Sequence, residues 1–274
     1  MFVAQHLPIE AKHTKGNGQY GRLFFLPGSD GRARRISERF EGLEVINNDR
    51  QHNVYLGHVK VGDRQVDLGT VSTGMGCASL NIIVSELIML GGRQFMRVGT
   101  AGSLLPETLR AGSLVIATGA VRDEGVSNRY VVSGYPAIGS LQLVEALEKA
   151  AMDMGLGERT FSGIVHTKES LYAVEFGHGP LKHQNHQYMA QLQGMRVLAS
   201  DMETSHLFVL SDVHSDGVAP ISQTVIPEKT IRSGAILAVI GDDAHYGSAD
   251  VAKKTEDTAI DVAISAATDA RLWA

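Results

Sequence analysis

Two segments of the sequence combine a glycine-rich turn with an arginine next to a short apolar run. The first contains Gly28 and Arg32, and the second contains Arg97 and Thr100 within the stretch RVGTAG. Backbone N–H groups at a helix N-terminus and a guanidinium group both favour an oxyanion. A buried arginine is costly without an anionic partner, so a structural salt bridge is the alternative interpretation of Arg97. The coexistence of Arg32, Arg97 and Thr100 at strand ends favours one shared anion.

A third segment opens a predicted helix with acidic residues. Asp201, Met202 and Glu203 follow a short apolar run that ends at Ala199. Acidic residues in the first turn of a helix often only complement its dipole. A carboxylate can also accept two hydroxyl protons at once, which makes Glu203 a candidate for binding a diol. Met202 would then pack on the apolar face of a sugar.

The composition excludes several classes of protein. The chain has 274 residues, of which 43% are hydrophobic, and a formal net charge of −5. This is typical of a folded protein with a substantial core, and the acidic balance argues against general nucleic-acid binding. The N-terminus lacks the apolar run of a signal peptide and no apolar stretch is long enough to span a membrane. We therefore predict a cytoplasmic protein with no membrane or nucleic-acid partner.

Other types of site lack their sequence patterns. Neither a Walker phosphate loop nor a Gly-x-Ser-x-Gly elbow occurs, and the pair Gly74-x-Gly76 lacks a third glycine in register. His183 and His186 are close in sequence but no HExxH pattern surrounds them, which favours a polar loop over a metal site. The single cysteine, Cys77, lies in a glycine turn before a helix, where its pKa would fall somewhat, and we interpret it as structural. We predict no metal.

Short apolar strands alternate with amphipathic helices along the chain. The predicted strands are 23–26, 54–61, 65–71, 95–98, 113–120, 162–166, 197–199 and 235–240. The predicted helices are 32–40, 78–90, 141–154, 188–194, 200–210 and 255–272. This alternation predicts the α/β class with a largely parallel or mixed sheet. We predict a single domain over 1–274, with the polar stretch 211–233 as a possible surface insertion.

Four segments in order resemble motifs of the trimeric and hexameric nucleoside phosphorylases, which include uridine phosphorylase and bacterial purine nucleoside phosphorylase. The chain's LPGSDGR (26–32) is similar to PGDPxR, and its STGMG (72–76) is similar to STGxG. RVGTAG (97–102) resembles RxGTxG, and SDMET (200–204) with Leu207 resembles EMExxxL. The resemblance covers about His6 to Leu272. It implies a three-layer sandwich, with a mixed central β-sheet flanked by helices.

The resemblance also implies a role for each matching residue. Phosphate would be bound by Gly28, Arg32, Arg50, Arg97 and Thr100, and ribose by His6, Met202 and Glu203. The base would be bound by Ala101, Gly102, Leu171, Tyr172, Asp201 and Ile240. Arg97, Glu203 and Asp242 would be the catalytic residues. Because Arg50 and His6 would act in a neighbouring subunit's site, the resemblance implies an obligate dimer assembled as a hexamer.

The sequence departs from the family's motifs at three places. Ser29, Asp30 and Gly31 replace the Asp-Pro-x turn, and Asp201 stands where the family often has Glu. Leu171 stands where the family has the aromatic residue that stacks on the base. Stacking on the base would therefore be weaker, or Tyr172 would take it over.

Further local matches bear on the base. A direct alignment puts Ile240 where purine enzymes of the family place an acid, whereas a shift of two residues would present Asp242. VRDEGVS (121–127) and HTKESLY (166–172) resemble segments of uridine phosphorylases, although the Gln-x-Arg pair that recognises uracil is not evident after Tyr172. We predict phosphate-dependent cleavage of uridine to uracil and ribose 1-phosphate, with no cofactor besides inorganic phosphate as co-substrate.

Three alternatives remain open at this point. The first is a purine nucleoside phosphorylase with Asp242 as the acid. The second is a related nucleosidase that uses water in place of phosphate, and the arginines at 32, 50 and 97 argue against it. The third is a non-catalytic protein that binds a nucleoside, because one scaffold can carry different functions.

Overall fold

The computed structural model describes residues 2–215, 230–242 and 245–273. The strands of these residues lie in one sheet and are β1 (Leu23–Leu26), β2 (Glu41–Ile46), β3 (Val54–Val61), β4 (Arg64–Val71), β5 (Gln94–Ser103), β6 (Leu114–Asp123), β7 (Ala137–Ile138), β8 (Thr160–Lys168), β9 (Ala199–Asp201), β10 (Arg232–Asp242) and β11 (His245–Tyr246). The helices are α1 (Asp30–Ser37), α2 (Cys77–Met89), α3 (Leu141–Asp153), α4 (Lys182–Gly194), α5 (Thr204–Val213) and α6 (Ala249–Ala267).

Part of the sheet closes on itself. Strand β10 pairs with both β5 and β6, so the pairings run in a ring through β5, β9, β8, β6 and β10. Strands β1, β4, β3 and β2 continue outward from β5 as an open sheet. Because the ring contains parallel and antiparallel pairs, the sheet is mixed, as predicted.

Helices cover both faces of the sheet. Leu80 of α2 and Leu207 of α5 are buried in the apolar core on one face. Ile36 of α1, Leu147 of α3 and Ile260 of α6 are buried in a separate core on the other face. The prediction of an α/β fold with helices flanking a mixed sheet is therefore confirmed. Within the described residues, no helix is both long and apolar enough to cross a lipid bilayer.

Strand β5 is longer than predicted, and this changes how its residues are presented. The prediction ended the strand at Val98, but the strand continues through the glycine-rich stretch to Ser103. Thr100 pairs with Ala238 of β10, and Gly102 pairs with Ser200 of β9. The stretch is thus held by neighbouring strands on both sides and is not a free loop, which makes its position more rigid.

Several other elements differ from the prediction. Helix α4 begins at Lys182 and not at 188, and α6 spans Ala249–Ala267 and not 255–272. The edge strand β2 was missed because its side chains are almost all exposed, so it lacks the apolar alternation that marks a half-buried strand. Residues Leu171–Glu175 form one π-helical turn, for which the sequence carries no periodic signal.

The predicted insertion at 211–233 is only partly described. Its first residues belong to α5, which ends at Val213, and its last two belong to β10, which begins at Arg232. Residues 216–229 lie outside the described residues. The single domain over 1–274 stays a prediction.

Candidate active site

The carboxyl ends of β1, β5, β8 and β10 surround one cavity of about 300 Å³. Most of the residues predicted for the site line this cavity: Gly28, Arg32, Arg97, Thr100, Ala101, Gly102, Leu171, Asp201, Met202, Glu203, Ile240 and Asp242. His6, Arg50 and Tyr172 are the predicted residues that are not part of its wall. The register of the parallel strands brings these residues together, because Arg97 of β5 lies beside both Leu26 of β1 and Ala235 of β10.

Arg97 lies at the centre of the wall and is bound to two carboxylates. Its side chain is buried, its Nε donates to Oδ2 of Asp201 at 2.9 Å, and its Nη2 forms an ion pair with Glu203. Its Nη1 has no hydrogen-bond partner among the described residues. Burial lowers the pKa of Arg97, but Glu203 and Asp201 outweigh that effect and raise it. The salt bridge considered from the sequence is therefore present, and it lies in the cavity wall.

Gly99 makes room for this arginine. A Cβ atom at position 99 would lie 2.7 Å from Nη2 of Arg97, which is too close for any side chain. The guanidinium group folds back over its own strand at this point. The packing of the Arg97–Glu203 ion pair thus requires glycine at position 99.

Asp201 fixes the orientation of Arg97. Its two carboxylate oxygens also accept from the hydroxyl groups of Thr167 at 2.9 Å and Thr204 at 2.6 Å. The backbone N–H of Thr204 donates to the same carboxylate at 3.1 Å. A buried carboxylate with this many donors is rigidly placed. Direct contact of Asp201 with a base stays a prediction.

Glu203 immediately precedes α5. The helix begins at Thr204, whereas the sequence predicted a start at position 200. Its Oε1 accepts from the backbone N–H of Gly76 at 2.5 Å, while its Oε2 contacts Arg97. Burial raises the pKa of Glu203, and Arg97 opposes this rise only in part. The carboxylate is therefore directed across the cavity wall toward β5 and the turn before α2, so it does more than complement the dipole of α5.

Arg32 lies at the β1 end of the cavity, next to Gly28 and Ser29. Its Nη2 donates to Oε1 of Glu256 on α6 at 2.6 Å, and its Nε has no hydrogen-bond partner among the described residues. Burial lowers the pKa of Arg32, Glu256 acts in the opposite direction, and the positive charge of Arg97 adds to the lowering. Two guanidinium groups therefore face the same part of the cavity, where three carboxylates, those of Asp201, Glu203 and Glu256, balance their charge.

The opposite part of the cavity contains an ion pair that the sequence did not indicate. Nζ of Lys168, the last residue of β8, lies 2.6 Å from Oε2 of Glu175. Both side chains are mostly buried, with exposed fractions of 3% and 17%. A Cβ atom at Gly102 would lie 2.4 Å from Oε1 of Glu175, so the glycine allows the carboxylate to pack against β5.

The π-helical turn decides which apolar side chains reach this part of the cavity. Leu171 and Phe176 line it, whereas Tyr172 is 64% exposed and packs its ring edge against Phe176. The structure thus places Tyr172 outside the cavity and puts Phe176 in the wall, because the turn directs positions 171 and 172 to different sides. No helical or strand period in the sequence indicated Phe176.

Ile240 and Asp242 both line the cavity at the end of β10. Oδ2 of Asp242 accepts from the backbone N–H of Ala111 at 2.9 Å. The sequence allowed two alignments, one placing Ile240 and the other Asp242 where purine enzymes have an acid. Position in the cavity does not decide between them, because both residues line it.

His6 and Arg50 lie near each other but away from the cavity wall. The N–H groups of Gln5, His6 and Leu7 all donate to the carboxylate of Glu86, and Nδ1 of His6 lies 2.9 Å from it. Asn48 connects the two predicted residues, because its Nδ2 donates to O of His6 at 2.6 Å and its Oδ1 accepts from N of Arg50 at 2.8 Å. Their action in a neighbouring subunit's site stays a prediction.

Cys77 is buried beside the site, and burial raises the pKa of its thiol. The lowering expected from its place before a helix is therefore wrong, because desolvation and nearby carboxylates outweigh the helix dipole. In the part of the chain that the structure describes, no group of three or more His, Cys, Asp or Glu side chains is placed to hold a metal ion.

A known family matches most of the chain's sequence. The sequence model of the phosphorylase superfamily matches residues 22–215. The chain belongs to the phosphorylase superfamily. This membership confirms the predicted family and the predicted class of enzyme, a pentosyltransferase that uses phosphate to cleave nucleosides.

Individual members of the phosphorylase superfamily are similar over most of the chain. Uridine phosphorylase of Treponema pallidum is 33% identical over 253 residues, which are 90% of this chain and 88% of that protein. Guanosine phosphorylase of Halorubrum lacusprofundi is 28% identical over 242 residues, covering 88% of this chain and 85% of that protein. The crystal structure of uridine phosphorylase from Vibrio fischeri has a TM-score of 0.74 at 24% identity, covering 94% of this chain and 93% of that chain, which supports the fold.

Proposed function

We propose that this phosphorylase cleaves uridine with inorganic phosphate and releases uracil and ribose 1-phosphate. The observation that carries the proposal is the single cavity in which Arg32, Arg97 and Glu203 meet an apolar wall that includes Ile240. An anion site, a hydroxyl acceptor and a surface for a flat base are thus adjacent. These are the three groups that phosphorolysis of a nucleoside must bring together.

The reaction requires no other reactant. An oxygen of hydrogen phosphate forms a bond with C1′ of the ribose, and the bond between C1′ and the base nitrogen breaks with its electron pair going to the base. The proton carried by hydrogen phosphate ends on the departing base, so the sugar product is dianionic ribose 1-phosphate. Catalysis then depends on positioning the phosphate and on stabilising negative charge on the base.

The proposal gives the arginine end of the cavity to phosphate. Gly28 and Thr100 supply a close backbone and a hydroxyl group, and Arg32 and Arg97 supply positive charge. The buried Nη1 of Arg97 and Nε of Arg32, which lack partners among the described residues, are donors that an oxyanion can satisfy.

Glu203 would bind the ribose in this proposal. Its carboxylate is already held by Gly76 and Arg97, so it is preorganised to accept from a hydroxyl group of the sugar. Met202 beside it lines the cavity and offers an apolar contact. Asp201 contributes indirectly by fixing Arg97.

The second candidate substrate is a purine nucleoside. Asp242 lines the cavity, and a guanosine phosphorylase is among the relatives, so an acid could contact a purine from this position. Ile240 and the larger number of similar uridine phosphorylases favour uridine. Asp242→Asn would selectively lower the cleavage of inosine if the purine proposal were correct.

We also propose that the site is completed by a second copy of the chain. In this proposal Arg50 reaches the phosphate and His6 the 5′-hydroxyl group of a neighbouring subunit. The support is that both residues lie outside the cavity of their own chain and are fixed to one segment by Asn48. A hexameric assembly and a cytoplasmic location belong to the same proposal.

The proposal is tested by incubating the purified protein with uridine, and separately with inosine, with and without phosphate. We expect uracil to be released only in the presence of phosphate. Release of hypoxanthine alone would transfer the assignment to the purine candidate. Release without phosphate would contradict the role given to the arginines, and no release from either nucleoside would contradict the proposed substrate.

A further inference from the structure

A chain of buried polar side chains runs from the surface to the base end of the cavity. Asp123 begins it with Oδ2 at 2.9 Å from Nε2 of His166, and Nδ1 of His166 lies 3.0 Å from Oγ of Ser200. Nζ of Lys168 donates to the same Oγ at 3.0 Å. We call Asp123, His166, Ser200 and Lys168 the polar chain.

The two ends of the polar chain fix the direction of its outer hydrogen bonds. The Lys168 ammonium group can only donate, so Oγ of Ser200 accepts there and keeps its own proton available for Nδ1 of His166. The Asp123 carboxylate can only accept, so Nε2 of His166 carries the ring proton. In the tautomer with its proton on Nε2, the imidazole donates to Asp123 and accepts from Ser200 at the same time.

The polar chain is costly to bury unless it is fully connected. His166 and Ser200 are almost completely inaccessible, and Lys168 is 3% exposed. The ring of Tyr188 packs edge-on against His166 at 5.8 Å between centroids, which limits the ring to one orientation. Because these side chains are held by one another, a substitution of one member of the polar chain changes the position of the next.

The ammonium group at the inner end has one N–H that is weakly used. One N–H is taken by Ser200, and the Glu175 carboxylate lies 2.6 Å away. The third contact, with the backbone oxygen of Asp201, is 3.4 Å long. Since Lys168 lines the cavity, this weakly bonded N–H can donate a hydrogen bond to a carbonyl oxygen of a base.

We propose that His166 is a positioning residue of the reaction. Through Ser200 it holds the Lys168 ammonium group at the base end, where the positive charge stabilises the negative charge that develops on the departing base. Asp123 holds the imidazole in the tautomer that accepts from Ser200. This inference rests on the proposed phosphorolysis and adds a group that acts without touching the substrate.

The inference is tested with two amide substitutions at the same position. His166→Asn keeps an acceptor at the δ position, where it can take the Ser200 proton, whereas His166→Gln moves the amide to the ε position and leaves Ser200 without its acceptor. We expect His166→Gln to lower kcat for uridine by about tenfold and His166→Asn to lower it much less. The KM for phosphate should not change in either variant.

A comparison of leaving groups separates positioning from a general loss of structure. Fluorine at C5 makes the base a more stable anion, so 5-fluorouridine depends less on Lys168. We therefore expect the loss of kcat in His166→Gln to be clearly smaller with 5-fluorouridine than with uridine. Equal losses with both substrates, or equal losses in both amide variants, would overturn the inference.

Two controls keep the result decisive. Ser200→Ala removes the link itself and should show the same dependence on the leaving group, so it replaces His166→Gln if that variant does not fold. If the unaltered protein releases no base from uridine with phosphate, the proposed function has failed. If it does and the variants show no dependence on the leaving group, only the role of His166 has failed.

Discussion

The two ends of the cavity are built in different ways. The phosphate end consists of a glycine turn after β1 and residues of β5, and its cations Arg32 and Arg97 come from segments with motif-like sequences. The base end is formed by the last residue of β8, the π-helical turn and the end of β10, and its only cation among the lining residues described by the structure is Lys168. The first end depends on local chain geometry, and the second depends on which side chains the tertiary structure brings together.

Each end balances its cation with a carboxylate from another element. Glu256 of α6 lies against Arg32, and Glu175 of the π-helical turn lies against Lys168. The two carboxylates are similarly exposed, at 16% for Glu256 and 17% for Glu175, whereas 12% of the Arg32 side chain is exposed against 3% of Lys168. Arg32 is therefore more open to a competing anion than Lys168, whose ammonium group is held by Glu175 and Ser200. This difference suits general anion binding at one end and selection of a base at the other.

The largest expected effect comes from Arg97, which binds both Asp201 and Glu203 in the cavity wall. Arg97→Met removes a guanidinium group from the anion site and leaves Asp201 and Glu203 without their cation. We expect kcat/KM for uridine to fall by about a thousandfold, as for loss of a preorganised charge in a buried site. Steady-state kinetics with both uridine and phosphate varied would measure it.

The control for this variant is Arg110→Met, because Arg110 is exposed and outside the cavity wall. Arg97→Lys serves as a second variant that keeps the charge for the two carboxylates. A loss of less than tenfold in Arg97→Met would contradict the central place of this residue in the site.

Gly102→Ala should affect the base end alone. Its Cβ atom would lie 2.4 Å from Oε1 of Glu175, so the carboxylate and its Lys168 partner must shift. We expect kcat/KM for uridine to fall by about tenfold to a hundredfold, with little change in the KM for phosphate. Gly194→Ala is the matched control, since a Cβ atom there meets no atom within 4 Å. An equal rise of both KM values would show that the two ends are not separable.

The phosphate end of the cavity could be predicted from the sequence to a larger extent than the base end. The turn at Gly28 and the stretch from Arg97 to Gly102 were identified because their residue types and spacing are local signals. Lys168 and Glu175 were missed because their contact depends on a π-helical turn, which has no sequence period. Glu256 was missed because its contact with Arg32 joins α6 to α1 across most of the chain. Tyr172 was predicted as a stacking residue from adjacency to Leu171 alone, and the turn directs it outward.

Glu256→Gln should change the phosphate end by a smaller amount. The amide can still accept from Arg32 but no longer neutralises it, so the positive potential at this end increases. We expect the KM for phosphate to fall by about twofold to fivefold while kinetics in uridine stay nearly constant. Asp257→Asn is the control, because Asp257 pairs with Arg35 and Arg39 on the same helix pair. A rise in the KM for phosphate would mean that Glu256 acts chiefly by holding Arg32 in place.

Asp242→Asn should have the smallest effect on uridine. Its Oδ2 accepts from the N–H of Ala111, and the amide oxygen of Asn can keep this bond. We expect kcat/KM for uridine to change by less than about threefold, since the change in a hydrogen bond to a charged group is small when an acceptor remains. A loss of more than about tenfold that appears with inosine and not with uridine would give the base end an acid for purines and favour the purine candidate.

The most direct test of the central claim is to follow the fate of phosphate during base release. Phosphorus NMR of the protein with uridine and inorganic phosphate should show ribose 1-phosphate appearing in equal amount to uracil. The same result should be absent in Arg97→Met. Uracil formed while the phosphate signal stays constant and free ribose accumulates would contradict phosphorolysis at this cavity.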